Sequence, residues 1–172
     1  FLAACLGLLA VGGCSLNRLA VNAVAGMLSS PGSGTVFTGE EDPQLVADAL
    51  PFAMKLYESL LAQTPENEEL LLATGSMFAM YANAFVQTPA GMLPETEFAQ
   101  RQESLARAKR LYLRGRDYCL KALELRHPGL RARVDANDPA AMAGTDAEDL
   151  PYLYWAAASW MGAFSAEPFD ME

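Results

Sequence analysis

The sequence predicts an all-α fold built from packed helical hairpins, and three observations predict it. Apolar residues recur at helical spacing in one segment after another. The segments are separated by short turns rich in Pro, Gly and Asn. Only Thr35 to Gly39 reads as extended, and it is too short to imply a sheet. The chain has 172 residues, which suits one domain with a sizeable core. It is 52% apolar and 19% charged, with a mean hydropathy of +0.10. That is too apolar for a disordered chain and too lightly charged for a long coiled coil. Net charge is −9 and the pI is ≈ 4.6, so the overall field repels phosphate and excludes bulk nucleic-acid binding. With 1 His and 3 Cys, material for a zinc site or a histidine-based catalytic centre is scarce, and no metal or cofactor is expected.

The N-terminus reads as a targeting segment. Phe1 to Val11 is uncharged and apolar, the size of a signal-peptide core and too short to span a bilayer. Val11-Gly12-Gly13-Cys14-Ser15 follows. Small residues before a cysteine at this place resemble the bacterial lipobox, in which the cysteine is lipidated and becomes the new N-terminus. The alternative is an apolar helix with an incidental cysteine. The resemblance implies lipid attachment at Cys14, and Ser15 beside it favours the outer membrane. No initiator Met or basic region precedes the segment, so the signal is expected to be truncated. Cys5 then leaves with the signal and Cys14 carries lipid, so Cys119 cannot form an internal disulfide and reads as a small core residue. The organisation is therefore 1–13 signal peptide, 14–41 lipid-anchored segment and tether, and 42–172 helical domain continuing beyond residue 172.

Leu16 to Leu28 has helical spacing, and Ser29 to Gly34 breaks it. Asp42-Pro43 is a helix start, an N-cap with Pro at the first helical position. Gln44 to Gln63 follows with Leu45, Ala49, Phe52, Ala53, Leu56, Tyr57, Leu60 and Leu61 on one stripe, and Pro51 predicts a kink or break near Leu50. A second helix, Glu66 to Val86, opens on acidic residues at its positive end and is apolar nearly all round, as a buried helix is. Thr88 to Pro94 reads as a loop. Glu97 to Arg126 is a long helix with Glu103/Arg107 and Asp117/Lys121 as i,i+4 pairs, ended by His127-Pro128-Gly129. Asn137 to Asp149 is a loop, and Leu150 to Phe164 is a further helix with aromatic and alanine faces.

Internal repetition adds to this. Tyr57 to Asn67 matches the end of a tetratricopeptide (TPR) helix pair with its turn proline, and Leu71, Thr74, Gly75 and Phe78 fall at the packing positions of the next unit. A second unit end is Lys121 to Pro128, and Leu150 to Phe164 opens a third. Spacing between units is irregular, so the array is TPR-like; an unrelated helical bundle is the alternative. The chain also resembles the T-component lipoproteins of tripartite ATP-independent periplasmic (TRAP) transporters. The resemblance rests on the lipobox at Cys14, Asp42-Pro43 with Ala49 to Leu56, Leu70 to Val86 ending in Tyr81-Ala82-Asn83-Ala84-Phe85-Val86, the basic helix from Arg107 to Leu125, and Tyr154-Trp155 with Trp160. It implies a lipid-anchored periplasmic accessory protein that is not an enzyme. It further implies binding to the periplasmic solute-binding protein (P-component), a homotrimer with a central pore, and passage of small hydrophobic or organic-acid solutes. The competing reading is a TPR scaffold of envelope assembly that binds peptide segments.

Residues 101–133 hold ten of the 12 basic residues. Arg107, Arg110, Arg114 and Lys121 share one helical face, a candidate docking surface for an acidic partner, set against a simple solvated face. Tyr81, Asn83, Tyr154, Trp155 and Trp160 are candidates for a ligand cavity or pore, set against interhelical core. His127 beside Pro128 reads as capping helix carbonyls, and Asp146, Glu148 and Asp149 as favouring the next helix start. A hydrolase using His127 or Asp149 has no supporting motif.

Overall fold

The computed structural model describes residues 23–24, 26–27 and 35–167. Cys14 and the segment read as a signal peptide lie outside the described residues. All regular structure among those residues is helical. Thr35–Thr38 (α1) is a single helical turn rather than extended chain. The helices that follow are Pro43–Leu61 (α2), Glu68–Tyr81 (α3), Thr88–Gly91 (α4), Phe98–Arg126 (α5), Leu130–Asp135 (α6) and Leu150–Ala166 (α7).

Helix α2 starts as the sequence dictates. The Asp42 carboxylate accepts the N–H groups of Gln44 at 3.0 Å and Leu45 at 3.2 Å, with Pro43 at the first position. The expected break at Pro51 does not occur: the helix runs on to Leu61. Proline removes one N–H, but Leu50, Met54, Tyr57, Leu60 and Leu61 are buried, and this packing outweighs the local loss. The single predicted stripe also divides. Leu45, Ala49, Phe52 and Leu56 face solvent, while the buried residues lie on the opposite flank against α3.

Asn67 caps α3 by accepting the Leu70 N–H at 2.9 Å. The helical run then continues past the predicted end at Val86, through a π-helical segment, Ala82–Gln87, into α4. In the π segment the Thr88 N–H donates to the Asn83 carbonyl, five residues back. The cause is local. Pro89 has no N–H, and its ring crowds the carbonyl four residues earlier, that of Phe85. A widened turn just before the proline relieves that crowding, so the helix passes through where a loop was expected. The run Glu68–Gly91 is long and apolar enough to cross a membrane, but half of its most apolar window is buried inside the fold, as in a core helix.

Helix α5, roughly 43 Å long at helical rise, is the spine of the molecule and packs along both α3 and α7. Arg126 reaches Glu68 near the start of α3, while Arg107 reaches Tyr81 at its end, so α3 and α5 are antiparallel. Arg126 also meets Asp149 just before α7, and Lys109 pairs with Glu167 just after it, so α5 and α7 are antiparallel too. At the crossing of the three helices the side chains vanish. A Cβ on Gly75 would stand 2.7 Å from the Gly115 carbonyl oxygen, and one on Gly115 would stand 3.3 Å from Ser159 Oγ. Cys119 is fully buried here, and burial pushes its thiol up to about 12.

Candidate functional site

A cleft of ≈ 480 Å³ opens between α3 with its π segment, α5 and α7. Its walls come from Ala79, Met80 and Asn83 on one side and Tyr154, Trp155, Ala158, Met161, Gly162 and Ser165 on the other, with Tyr112 beneath. The α7 wall follows from helical periodicity: residues 154, 158, 161, 162 and 165 fall on one face. Tyr154 and Trp155 meet edge to face with ring centroids 5.2 Å apart. Tyr154 and Met161 are 60% and 68% exposed, so the cleft is open to solvent. Gly162 gives Tyr112 its place, because a Cβ there would fall 2.5 Å from the Tyr112 Cζ atom.

A chain of neutral hydrogen bonds runs along one side of the cleft. The Tyr112 hydroxyl donates to Gln87 Oε1 at 2.7 Å, Gln87 Nε2 donates to Ser165 Oγ at 2.9 Å, and Ser165 donates to the Gly162 carbonyl at 2.8 Å. The Asn83 amide stands on the same wall and acts on the Tyr112 hydroxyl. Burial raises the Tyr112 phenol above its ordinary range, partly offset by the Asn83 amide. Among the described residues no charged side chain lines the cleft.

Of the predicted cavity residues, Asn83, Tyr154 and Trp155 come together here. Tyr81 and Trp160 lie elsewhere. Tyr81 is buried beneath Arg107, whose guanidinium sits 5.8 Å from the ring centroid, and Trp160 lies 5.1 Å under Arg116. Tyr112, Gln87, Met161 and Ser165 were not singled out in the sequence. Only the spacing of the apolar wall on α7 hinted at Met161.

The basic face is assembled on α5 as its periodicity requires. Arg107, Arg110, Arg114 and Lys121 are all exposed. Arg114 is engaged: it pairs with Glu58 of α2 and lies 4.8 Å over the Phe78 ring. Burial alone would raise the Glu58 carboxyl, but Lys55, the Tyr118 hydroxyl and Arg114 outweigh that and hold it low. Among the described residues Arg110 and Lys121 make no ion pair, and Asp117 turns to Arg116 and Arg131 rather than to Lys121.

His127 does not cap carbonyls with its ring. Its Nε2 stands 2.6 Å from Asp149 Oδ2. Asp149 is fully buried and also takes Arg126 Nε at 2.5 Å and the Asp146 N–H at 3.0 Å. Burial pushes its carboxyl up, but the Asp146 N–H, Arg126 and His127 outweigh burial and bring it down to about 2. Arg126 binds Glu68 at 3.1 Å as well and stacks 5.2 Å from the Tyr152 ring. This cluster joins α3, α5 and the start of α7. Asp146 caps the turn Ala147–Asp149 through the Glu148 N–H. No nucleophile touches the His127–Asp149 pair among the described residues.

A helical scaffold carrying an open neutral cleft and a separate basic face has the make-up of a binding protein. The chain belongs to the TRAP transporter T-component family, whose sequence model matches residues 39–172. That is a family of transporter accessory proteins of the cell envelope. The chain is also 40% identical, over 172 aligned positions, to a protein of Treponema pallidum (strain Nichols) described only as uncharacterized. The match covers 91% of this chain and 53% of that protein, so the chain spans about half the length of this relative.

Proposed function

We propose that this chain is the lipid-anchored periplasmic T-component of a TRAP transporter. In this reading Cys14 holds it to the membrane, with the outer membrane favoured. It engages the solute-binding P-component through the basic face of α5, and it assembles as a homotrimer around a pore that passes small solutes. Family membership is the observation that carries this reading. The architecture supports it: α5 offers cations on one side, while its Tyr112 side forms the floor of the cleft, so docking and solute binding use different surfaces. Of the two solute classes considered, the neutral walls favour hydrophobic molecules over organic acids.

The test is co-purification of the intact lipoprotein with the solute-binding protein encoded beside the membrane subunits, together with mass measurement in solution. Binding at micromolar concentration and a trimeric mass are expected. A monomer that captures no solute-binding protein at that concentration defeats the proposal.

A further inference from the structure

We infer that the cleft binds an uncharged, ring-bearing molecule carrying one amide-like group, and that Asn83 reads that group. The inference rests on the reading that this cleft is the solute site, and it names the chemistry the site selects.

The walls decide charge first. Among the described residues no Lys, Arg, Asp or Glu lines the cleft. A carboxylate entering it would lose hydration with no cation to replace it, and an ammonium would lose hydration with no carboxylate. Met80, Ala79, Ala158, Met161 and Gly162 give apolar surface, and the edge-to-face Tyr154–Trp155 pair gives flat aromatic surface, so a planar ring is the natural partner.

Hydrogen-bond accounting then decides the polar group. Gln87 gives its Oε1 to Tyr112 and one N–H to Ser165 and does not line the cleft, and the Ser165 proton goes to the Gly162 carbonyl. Beside the Tyr154 hydroxyl and the Trp155 indole N–H, the only side-chain amide on the wall among the described residues is that of Asn83. The Tyr112 proton goes to Gln87, so toward the Tyr112 oxygen the Asn83 amide can act only as a donor. That engages at most one N–H of the Asn83 amide, so an N–H and the carbonyl face the cleft for a ligand. A side chain offering one donor and one acceptor matches a group that offers one of each: an amide, a lactam or the edge of a heterocycle. Asn83 is exposed on the cleft wall, where an entering molecule meets it. The π segment sets this register, since Asn83 and Gln87 both lie within it.

The probes are three molecules sharing one ring: phenylacetamide, phenylacetate and phenethylammonium. The intact protein carries 13C-methyl methionine, with the Met80 and Met161 signals assigned through Met80→Leu and Met161→Leu. Phenylacetamide is expected to shift both signals saturably and to bind about tenfold more tightly than either charged probe. Asn83→Asp, nearly isosteric, is expected to weaken phenylacetamide about tenfold. An unmoved signal from buried Met54 shows that the variant is folded. If a charged probe binds at these methionines as tightly as the amide, or if Asn83→Asp leaves amide binding unchanged, the chemical class is wrong while the site stands. If none of the three probes moves Met80 or Met161, the reading of the cleft as the solute site fails with it.

Discussion

Gly75, Gly115 and Ser159 meet where three helices cross, and two of them respond to alanine in opposite ways. In Gly75→Ala the new methyl would lie 2.7 Å from the Gly115 carbonyl oxygen and 2.5 Å from Cys119 Sγ. The carbonyl belongs to a helix backbone and cannot swing aside, so the helices must part. A loss of about 1–3 kcal/mol is expected, read as a lower urea midpoint at unchanged slope. Ser159→Ala removes a buried hydroxyl oxygen that has no hydrogen-bond partner among the described residues. That variant is expected to be neutral or stabilised by up to about 1 kcal/mol on the same measurement. A clear loss would show that the hydroxyl has a partner after all. Gly75 was legible in the sequence because the repeat placed it at a close-packing position. Gly115 and Ser159 were not. Each sits in a helix where small residues are common, and only the packed partner says which of them must stay small.

At the scale of elements, helix identity was legible and helix punctuation was not. The apolar periodicity marked α2 and α3 and Asp42 marked the start of α2, because those signals are local, whereas α3 starts at Glu68 behind an Asn67 cap and not at Glu66 as the acidic run suggested. Pro51 and Pro89 misled, since proline states only the local cost of continuing a helix. Buried packing overrode it in α2, and a π segment absorbed it before α4. The Asp149 cluster was hidden for a different reason: its members are distant in sequence and meet only after α3, α5 and α7 pack. It carries a testable consequence. The Asp149 carboxyl is lowered from 3.8 to about 2, so the folded state prefers it ionised. Its contribution is complete above about pH 4 and is lost as pH falls toward 2, because below that range both folded and unfolded chains are protonated. Asp149→Asn should cost roughly 2 kcal/mol near neutral pH. The gap to the parent protein, followed by denaturant titration, should narrow between about pH 4 and pH 2. A gap that stays constant across that range would show that the carboxylate's charge is not what holds the three helices together.

Over the whole molecule, charge is divided rather than uniform. Ten of the 12 basic residues fall between 101 and 133 in a chain whose net charge is −9. Some of these cations already have partners within the chain: Arg114 pairs with Glu58, Arg126 with Asp149 and Glu68, and Arg131 with Asp135 at the surface. Arg110 and Lys121 make no ion pair among the described residues, and they stand on the same face as Arg107. An acidic partner approaching this face is attracted locally even though the chain as a whole is negative, so the attraction should act on the rate of encounter. The double variant Arg110→Glu/Lys121→Glu is therefore expected to slow association with the solute-binding protein about tenfold at low salt. It should flatten the salt dependence of that rate and leave the dissociation rate nearly unchanged. Neither residue packs in the core, so the unfolding midpoint should stay within about 0.5 kcal/mol of the parent. Tyr112, on the other side of α5, marks the cleft. Phenylacetamide binding should therefore survive the charge reversal. If association is unaffected while the cleft still binds its probe, the partner docks elsewhere and the basic face is only solvated. If both fall together, the two surfaces are coupled through α5.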